Sequence, residues 1–359
     1  MALLIAFAAC GGSSETVYRI GAVQPLTGDA APSYGITAQR TIERAVSDLN
    51  EAWSGQGKRL EVVFGDGKCD AAAARAAARK LVEEHDVRVI YGGGCSDETL
   101  GMAEYTESEE VLLLTSLTSS DAISDAGDYV FRNYPSNYGQ VNAMVDFLRS
   151  KNFKKFALLT ADTAYAQDLR RSYLEQLPTI GGEIVADEVV ADDATDLGAE
   201  ASRIAAALPD AVVTLPQTVP GWGRFLAALD AAGVDAQGIG TSVSAQGVAD
   251  YAELAQGYLV TAGLFKAQEG DPEFLKLQEE AGCINGLFCA GTYDGIFLLA
   301  EVFEHCGDRD TTCMRDFLYN TQNWEGRFYG TISFDEKGDI GGGSFRIDRV
   351  EGRTVVAAD

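Results

Sequence analysis

Residues 71–116 read AAAARAAARKLVEEHDVRVIYGGGCSDETLGMAEYTESEEVLLLTS, and the order of patterns inside this stretch decides the fold. The alanine-rich run at 71–84 joins the strongest helix former to apolar spacing, so it is expected to be a helix. VRVIYGG follows as a β-branched strand, residues 100–108 as a second helix, and VLLLTS as a second strand. Strands that are apolar on both faces and alternate with helices belong to parallel sheets covered on each side.

The alternation extends in both directions. Upstream, the strand YRIGAV at 18–23 leads into the turn Gln24-Pro25-Leu26-Thr27-Gly28, a helix at 36–49 and the strand LEVVFGD. Downstream come a helix at 139–151, the strands FALLT, GGEIVADEVV and DAVVTLP with helices between them, and GYLVTAG. The end of the chain, TISFDEKGDIGGGSFRIDRVEGRTVVA at 331–357, reads as a hairpin with polar turns that finishes a second lobe. With 359 residues and 46% hydrophobic content the chain is long enough for two packed lobes. In such sheets ligands sit outside the carboxyl ends of the strands, which directs attention to the loops after Gly92, Leu114, Thr160, Leu215 and Ile239.

The formal charge of -26, from 54 acidic and 28 basic residues, repels nucleic acid and anionic lipid, so no nucleic-acid partner is expected. The acid is spread along the chain and reads as a well-solvated surface. At the start, Ala2 to Ala9 is an apolar run with small residues directly before Cys10. It reads as the end of an export signal and resembles the bacterial lipoprotein cleavage box, which implies that the Cys10 thiol is lipidated, with Gly11-Gly12-Ser13-Ser14 as a flexible tether. Phe7 stands where such a box usually carries leucine, and no basic residue precedes the run. No other stretch is expected to span a membrane.

With Cys10 set aside, Cys69, Cys95, Cys283, Cys289, Cys306 and Cys313 form an even set, which in an exported chain points to disulfides. Short loops favour Cys283 with Cys289 and Cys306 with Cys313. Zinc is the competing use. It is poorly supported, because no CxxC pair occurs and only His85 and His305 could add imidazole, so no metal is expected.

The post-strand loops are rich in hydroxyls: Cys95-Ser96-Asp97 after YGGG, and Thr115-Ser116-Leu117-Thr118-Ser119-Ser120-Asp121 after VLLL. Any one of these residues is an ordinary helix cap. Two such loops on neighbouring strands would converge on a single pocket, where orphan N–H groups and helix dipoles favour a carboxylate. No GxSxG elbow, GxxxxGK[ST] loop or post-strand GxGxxG is present, so neither a serine triad nor a nucleotide cofactor is expected. Tyr34, Tyr165 and Trp222 fall just past strands. Covering a core is the common fate of such rings, but Asp162, Thr163 and Gln167 give Tyr165 a polar setting.

Taken in order, IGAVQPLTGDAAPSYG (20–35), GDGKCDAAAARAAARKLV (65–82), YGGGCSDETL (91–100), LTSLTSSD (114–121), DYVFRNYPSN (128–137), TADTAYAQDL (160–169) and GTISFDEKGD (330–339) resemble the type I periplasmic solute-binding family. That family contains the leucine/isoleucine/valine-binding protein and its amide- and urea-binding relatives. The resemblance implies two doubly wound α/β lobes joined by three crossings: a tether over 1–16, lobe 1 from 17–134 plus 263–327, and lobe 2 from 135–262 plus 328–359. It implies a Cys69–Cys95 disulfide. It implies ligand contacts at Ser96, Ser116, Thr118, Tyr165, Tyr34, Thr218, Ser242 and Phe288. In amino-acid binders the loop around Ser242 supplies a glutamate for the ligand ammonium, whereas GTSVSAQG has no acid. The implied role is a monomeric, lipid-anchored receptor that hands a small solute to an ABC permease. The alternatives are a sensory module of the same fold and, less supported, an enzyme.

Overall fold

The computed structural model describes residues 15–283, 285–340 and 344–358. Cys10 and the export segment lie outside them. In the first lobe β1 (Thr16–Gln24), α1 (Ile36–Ala52), β2 (Lys58–Asp66), α2 (Ala71–His85), β3 (Val89–Gly92), α3 (Ser96–Ser108), β4 (Leu112–Thr115) and β5 (Val130–Arg132) build a five-stranded parallel sheet of order β2-β1-β3-β4-β5. Strands β3 and β4 are buried along their whole length because helices cover both faces.

The second lobe repeats this plan. It contains α4 (Asn137–Leu148), β6 (Lys155–Ala161), α5 (Ala164–Gln176), β7 (Glu183–Val190), α6 (Gly198–Ala207), β8 (Ala211–Leu215), α7 (Val219–Ala231), β9 (Gln237–Ile239), α8 (Ser242–Gly247) and β10 (Leu259–Gly263). Its parallel part has the order β7-β6-β8-β9-β10, strand for strand the order of the first lobe. The chain then returns to lobe 1 as α9 (Pro272–Ala281), α10 (Gly286–Cys306), α11 (Thr311–Tyr319) and the small ladder of β11 (Trp324–Glu325) with β12 (Thr331–Ile332). It ends in lobe 2 with the antiparallel strands β13 (Phe345–Glu351) and β14 (Thr354–Ala357), added beyond β10.

Several elements depart from the sequence reading for identifiable reasons. Helix α3 starts at Ser96 instead of 100, because a capping box joins Cys95 and Glu98 and starts the first turn early. The segment DYVFRN carries β5, whose three residues are too few for a period to show. The tail expected to form one hairpin divides: Thr331–Ile332 pairs with Trp324–Glu325, and only 345–357 form the hairpin of lobe 2. Residues 328–340 also pack with lobe 1, through Phe328, Ile332 and Phe334 in its core and the Asp339 carboxylate on the buried Arg132 guanidinium at 2.7 Å. Phe345 is in the sheet of lobe 2, paired with Gly263.

One helix among the described residues, α10, is long and apolar enough to cross a membrane, contrary to the expectation that no stretch beyond the N-terminus would be. Its apolar window is 83% buried, and it is the central helix of the lobe 1 core.

The six cysteines pair as Cys69–Cys95, Cys283–Cys289 and Cys306–Cys313, with Cα–Cα separations of 5.2, 6.4 and 5.6 Å. His305 stands beside the third pair. With those two sulfurs bonded to each other, no thiolate remains there for a metal. Protein folded under oxidising conditions should therefore take up no alkyl group on these six cysteines before reduction and six after it, read by intact mass. Replacing both Cys69 and Cys95 by Ser should cost about 3 kcal/mol in denaturant unfolding, from the loop that the bond closes; no loss would mean that the bond does not constrain the chain.

Candidate functional site

Every parallel strand of both sheets ends on the same side, so the carboxyl-end loops of the two lobes face each other across a cleft. They line one small cavity between the lobes. Lobe 1 lines it with Tyr34 after β1, Gly94 to Ser96 after β3, Leu117 to Ser119 after β4, Tyr134 after β5, and Asn285 at the start of α10. Lobe 2 lines it with Tyr165 after β6, Gln217 after β8, and Ser242, Val243 and Gln246 after β9.

The local sequence explains how these groups are held. Gly92 has φ +144°, and a Cβ there would meet the Val23 carbonyl oxygen at 2.0 Å, so YGGG is a close-packed turn that feeds α3. Gly35 sits so near the backbone of Pro25 that a Cβ would lie 1.9 Å from its carbonyl oxygen; this packing sets the turn that carries Tyr34. The Glu98 carboxylate, fully buried, accepts from the N–H groups of Cys69 at 2.9 Å, Gly94 at 2.7 Å and Cys95 at 3.2 Å. It ties together both ends of the Cys69–Cys95 bridge. The Cys283–Cys289 bridge brackets Asn285, whose side chain caps α10 by accepting from Phe288 N–H at 3.2 Å.

Among the predicted residues, Ser96, Thr118, Tyr165, Tyr34 and Ser242 line the cavity together. Ser96 Oγ accepts from the Ser120 N–H at 3.2 Å, and Thr118 joins a chain of hydroxyls with Thr99 at 3.0 Å and Thr115 at 2.8 Å. The Ser242 hydroxyl donates to Gln140 Oε1 at 3.2 Å. The Tyr165 hydroxyl is buried close to Thr241, Ser242 and Gln140 without meeting hydrogen-bond geometry to any of them. Burial raises the Tyr34, Tyr134 and Tyr165 phenols above their ordinary values, so all three stay neutral donors.

Three predicted contacts are not on the cavity wall. Ser116 lies behind it, hydrogen-bonded to the Tyr91 hydroxyl and the Asn133 side chain. Thr218 is spent as the cap of α7, accepting from Gly221 N–H at 3.0 Å while its hydroxyl donates to Asp192 at 2.5 Å. Phe288 points into the lobe 1 core. In each case a neighbour supplies the wall: Thr118, Gln217 and Asn285. Sequence reasoning had marked the loops that carry Leu117, Ser119, Gln217, Val243 and Gln246 without singling out these residues. Tyr134 had only the motif DYVFRNYPSN to point to it, and Asn285 had no signal beyond its place before an apolar helix.

The lobes are in direct contact around the cavity. The Tyr34 hydroxyl donates to the Gln217 carbonyl at 2.8 Å, Ala164 N–H donates to Asp97 at 3.0 Å, and Ser120 donates to Asp168. Arg224 reaches Asp29 at 3.4 Å. Tyr34 and Cys95, carried by lobe 1, pack with the core residues of lobe 2. This is a closed two-lobe arrangement.

Two α/β lobes of matching topology that close over a small shared cavity define a solute-binding receptor. A profile of the periplasmic binding protein family matches residues 17–353, and the chain belongs to that family. It is 26% identical over 356 residues to the leucine-, isoleucine-, valine-, threonine- and alanine-binding protein of Pseudomonas aeruginosa, covering 95% of this chain and 91% of the relative. It is 23% identical over 349 residues to the Leu/Ile/Val-binding protein of Escherichia coli, covering 92% and 89%. Among solved structures it superposes with a TM-score of 0.82 at 24% identity on a branched-chain amino acid transporter binding protein from Streptococcus pneumoniae in complex with isoleucine, covering 96% and 99%. A solute-binding protein from Rhodopseudomonas palustris in complex with 3,4-dihydroxybenzoic acid gives 0.80 at 22% identity, covering 95% and 96%.

Burial pushes the Glu98 carboxyl up to about 7, against the pull of its three N–H donors. A carboxyl that titrates higher folded than unfolded binds its proton more readily in the native state, so its contribution to stability is fullest below the unfolded range and declines as pH rises through about 7. Urea unfolding of the wild type measured against Glu98→Gln should show the wild type losing ground from about pH 5 to about pH 8. A pH-independent difference would place the carboxyl at its ordinary value.

Proposed function

We propose that this protein is the extracytoplasmic solute-binding receptor of an ABC importer, taking a small carboxylate-bearing or amide-like solute: an amino acid, an amide, a urea-like compound or an organic acid. The observation that carries this reading is the shared wall. Hydroxyls and amides from both lobes line one cavity, and a solute in it adds contacts that exist only when the lobes are together. Such a solute binds the closed form better and shifts the equilibrium toward it. The relatives support the class, being binding proteins for amino acids and, in a solved structure, for an aromatic acid.

In this reading the Ser96 and Thr118 hydroxyls, with the first turn of α3, hold a carboxylate, since orphan N–H groups and the helix dipole favour an anion there. Tyr165 and Tyr34 close over the solute. The closed lobes then present a docking surface to a membrane permease, the protein acts as a monomer, and Cys10 anchors it by lipid at the outer face of the membrane. Capture and release, with no bond made or broken in the solute, is the whole task.

Isothermal titration against amino acids, short amides, urea and aromatic acids should yield at least one ligand. Silence from every class, with the sample folded, would remove the reading. For that ligand Tyr165→Phe should weaken binding about five- to ten-fold, the worth of one buried hydrogen bond.

A further inference from the structure

The cavity wall has a charge character that narrows the solute class, provided the receptor reading holds. Four helices of ten residues or more, α3, α5, α7 and α10, begin at this cavity, with Ser96, Tyr165, Gln217 and Asn285 on its wall at or next to their first turns. Each brings a partial positive charge to bear on the same small volume. Among the described residues, none on the wall is Asp, Glu, Lys, Arg or His.

The nearby carboxylates are already engaged. Asp192 lies behind Gln217 and Thr218, accepting from Gln217 N–H at 2.9 Å and the Thr218 hydroxyl at 2.5 Å. Asp97 accepts from the Ala164 N–H at 3.0 Å, across the cleft.

The wall also holds buried polar atoms without partners. Gln217 Oε1 and the Tyr165 hydroxyl belong to side chains 5% and 6% exposed, and neither atom has a hydrogen-bond partner. Gln246 Oε1 is in the same condition. A buried carbonyl oxygen left unpaired costs roughly 1–3 kcal/mol, so the two glutamine oxygens call for donors on the solute, while the Tyr165 hydroxyl can donate or accept. An ammonium could donate, but it would bring a full positive charge to a wall that, among the described residues, has no anion to pair with it. That charge would be buried uncompensated. A hydroxyl or amide donates without that cost.

We propose that the solute is a monocarboxylate whose remaining polar groups are uncharged hydrogen-bond donors, hydroxyl or amide, and that α-amino acids are discriminated against. The carboxylate satisfies the converging helix starts, and the neutral donors meet Gln217 and Gln246.

Paired titrations test this: leucine against 2-hydroxy-4-methylpentanoate, phenylalanine against 3-phenyllactate, with 4-hydroxybenzoate, acetamide and urea alongside. The expected result is that a carboxylate without ammonium binds about ten-fold or more tightly than its amino counterpart. An amino acid binding as tightly as its hydroxy analogue overturns the inference and leaves the receptor reading standing. Acetamide or urea as the tightest probe overturns the carboxylate half alone. No binding by any probe to folded protein removes both.

Ser242→Glu supplies a second reading, because it puts a carboxylate on the wall. It should lower affinity for the hydroxy acid and raise it for the amino acid. An unchanged ratio of the two affinities overturns the inference.

Discussion

The parallel strand is the constraint from which the rest of this molecule follows. A parallel strand must be followed by a crossover that returns the chain to the same end of the sheet, and here the crossovers are helices. All carboxyl ends, and all helix starts after them, therefore gather along one edge of each lobe. When two such edges face each other, oriented peptide groups point into the space between them from both sides. The matching orders β2-β1-β3-β4-β5 and β7-β6-β8-β9-β10 make the two edges near equivalents. Tyr34 after the first strand of lobe 1 answers Tyr165 after the first strand of lobe 2, and Ser96 answers Gln217 after the third. These strands flank the point in each sheet where the strand order reverses, which is where open α/β sheets leave a crevice.

A cavity built from loop ends needs loops that do not move independently, and the chain spends covalent and polar groups on this. Two of the three disulfides sit at helix starts on the wall: Cys69–Cys95 at α3 and Cys283–Cys289 at α10. Glu98 draws three backbone N–H groups of the first region onto one buried carboxyl. In lobe 2 the equivalent work falls to Asp192, which fixes Gln217 and Thr218 from behind. Both acids lie off the wall. Rigidity comes from carboxyls set behind the wall, while the surface offered to the solute stays uncharged.

Closure draws on contacts around the rim as well as on the solute. The links from Tyr34 to Gln217, at the cavity wall, and from Asp97 to Ala164 and Ser120 to Asp168 join the lobes directly. Each is a single hydrogen bond, modest in net worth once water is counted. Together they are of the order that a small ligand can outweigh or complete, as a reversible clamp requires.

The sequence alone determined the class of fold and the neighbourhood of the site. Continuous apolar strands such as VLLLTS alternating with alanine-rich helices admit few arrangements, and strand ends can be read directly, so the loops carrying Ser96, Thr118, Tyr165 and Ser242 were visible from the start. Only the tertiary structure decided which residue of each loop faces the solute. Ser116 and Thr118 are both hydroxyls two positions apart, and the short turn after β4 sends one back to Tyr91 and the other to the cavity. Thr218 was taken up by capping α7, a local demand that left Gln217 on the wall, and Phe288 gave way to Asn285 because α10 turns its apolar side to the core. The placement of residues 328–334 was likewise set by packing: Phe328, Ile332 and Phe334 find their partners in the core of lobe 1, many residues distant in sequence, and no local pattern records such a choice.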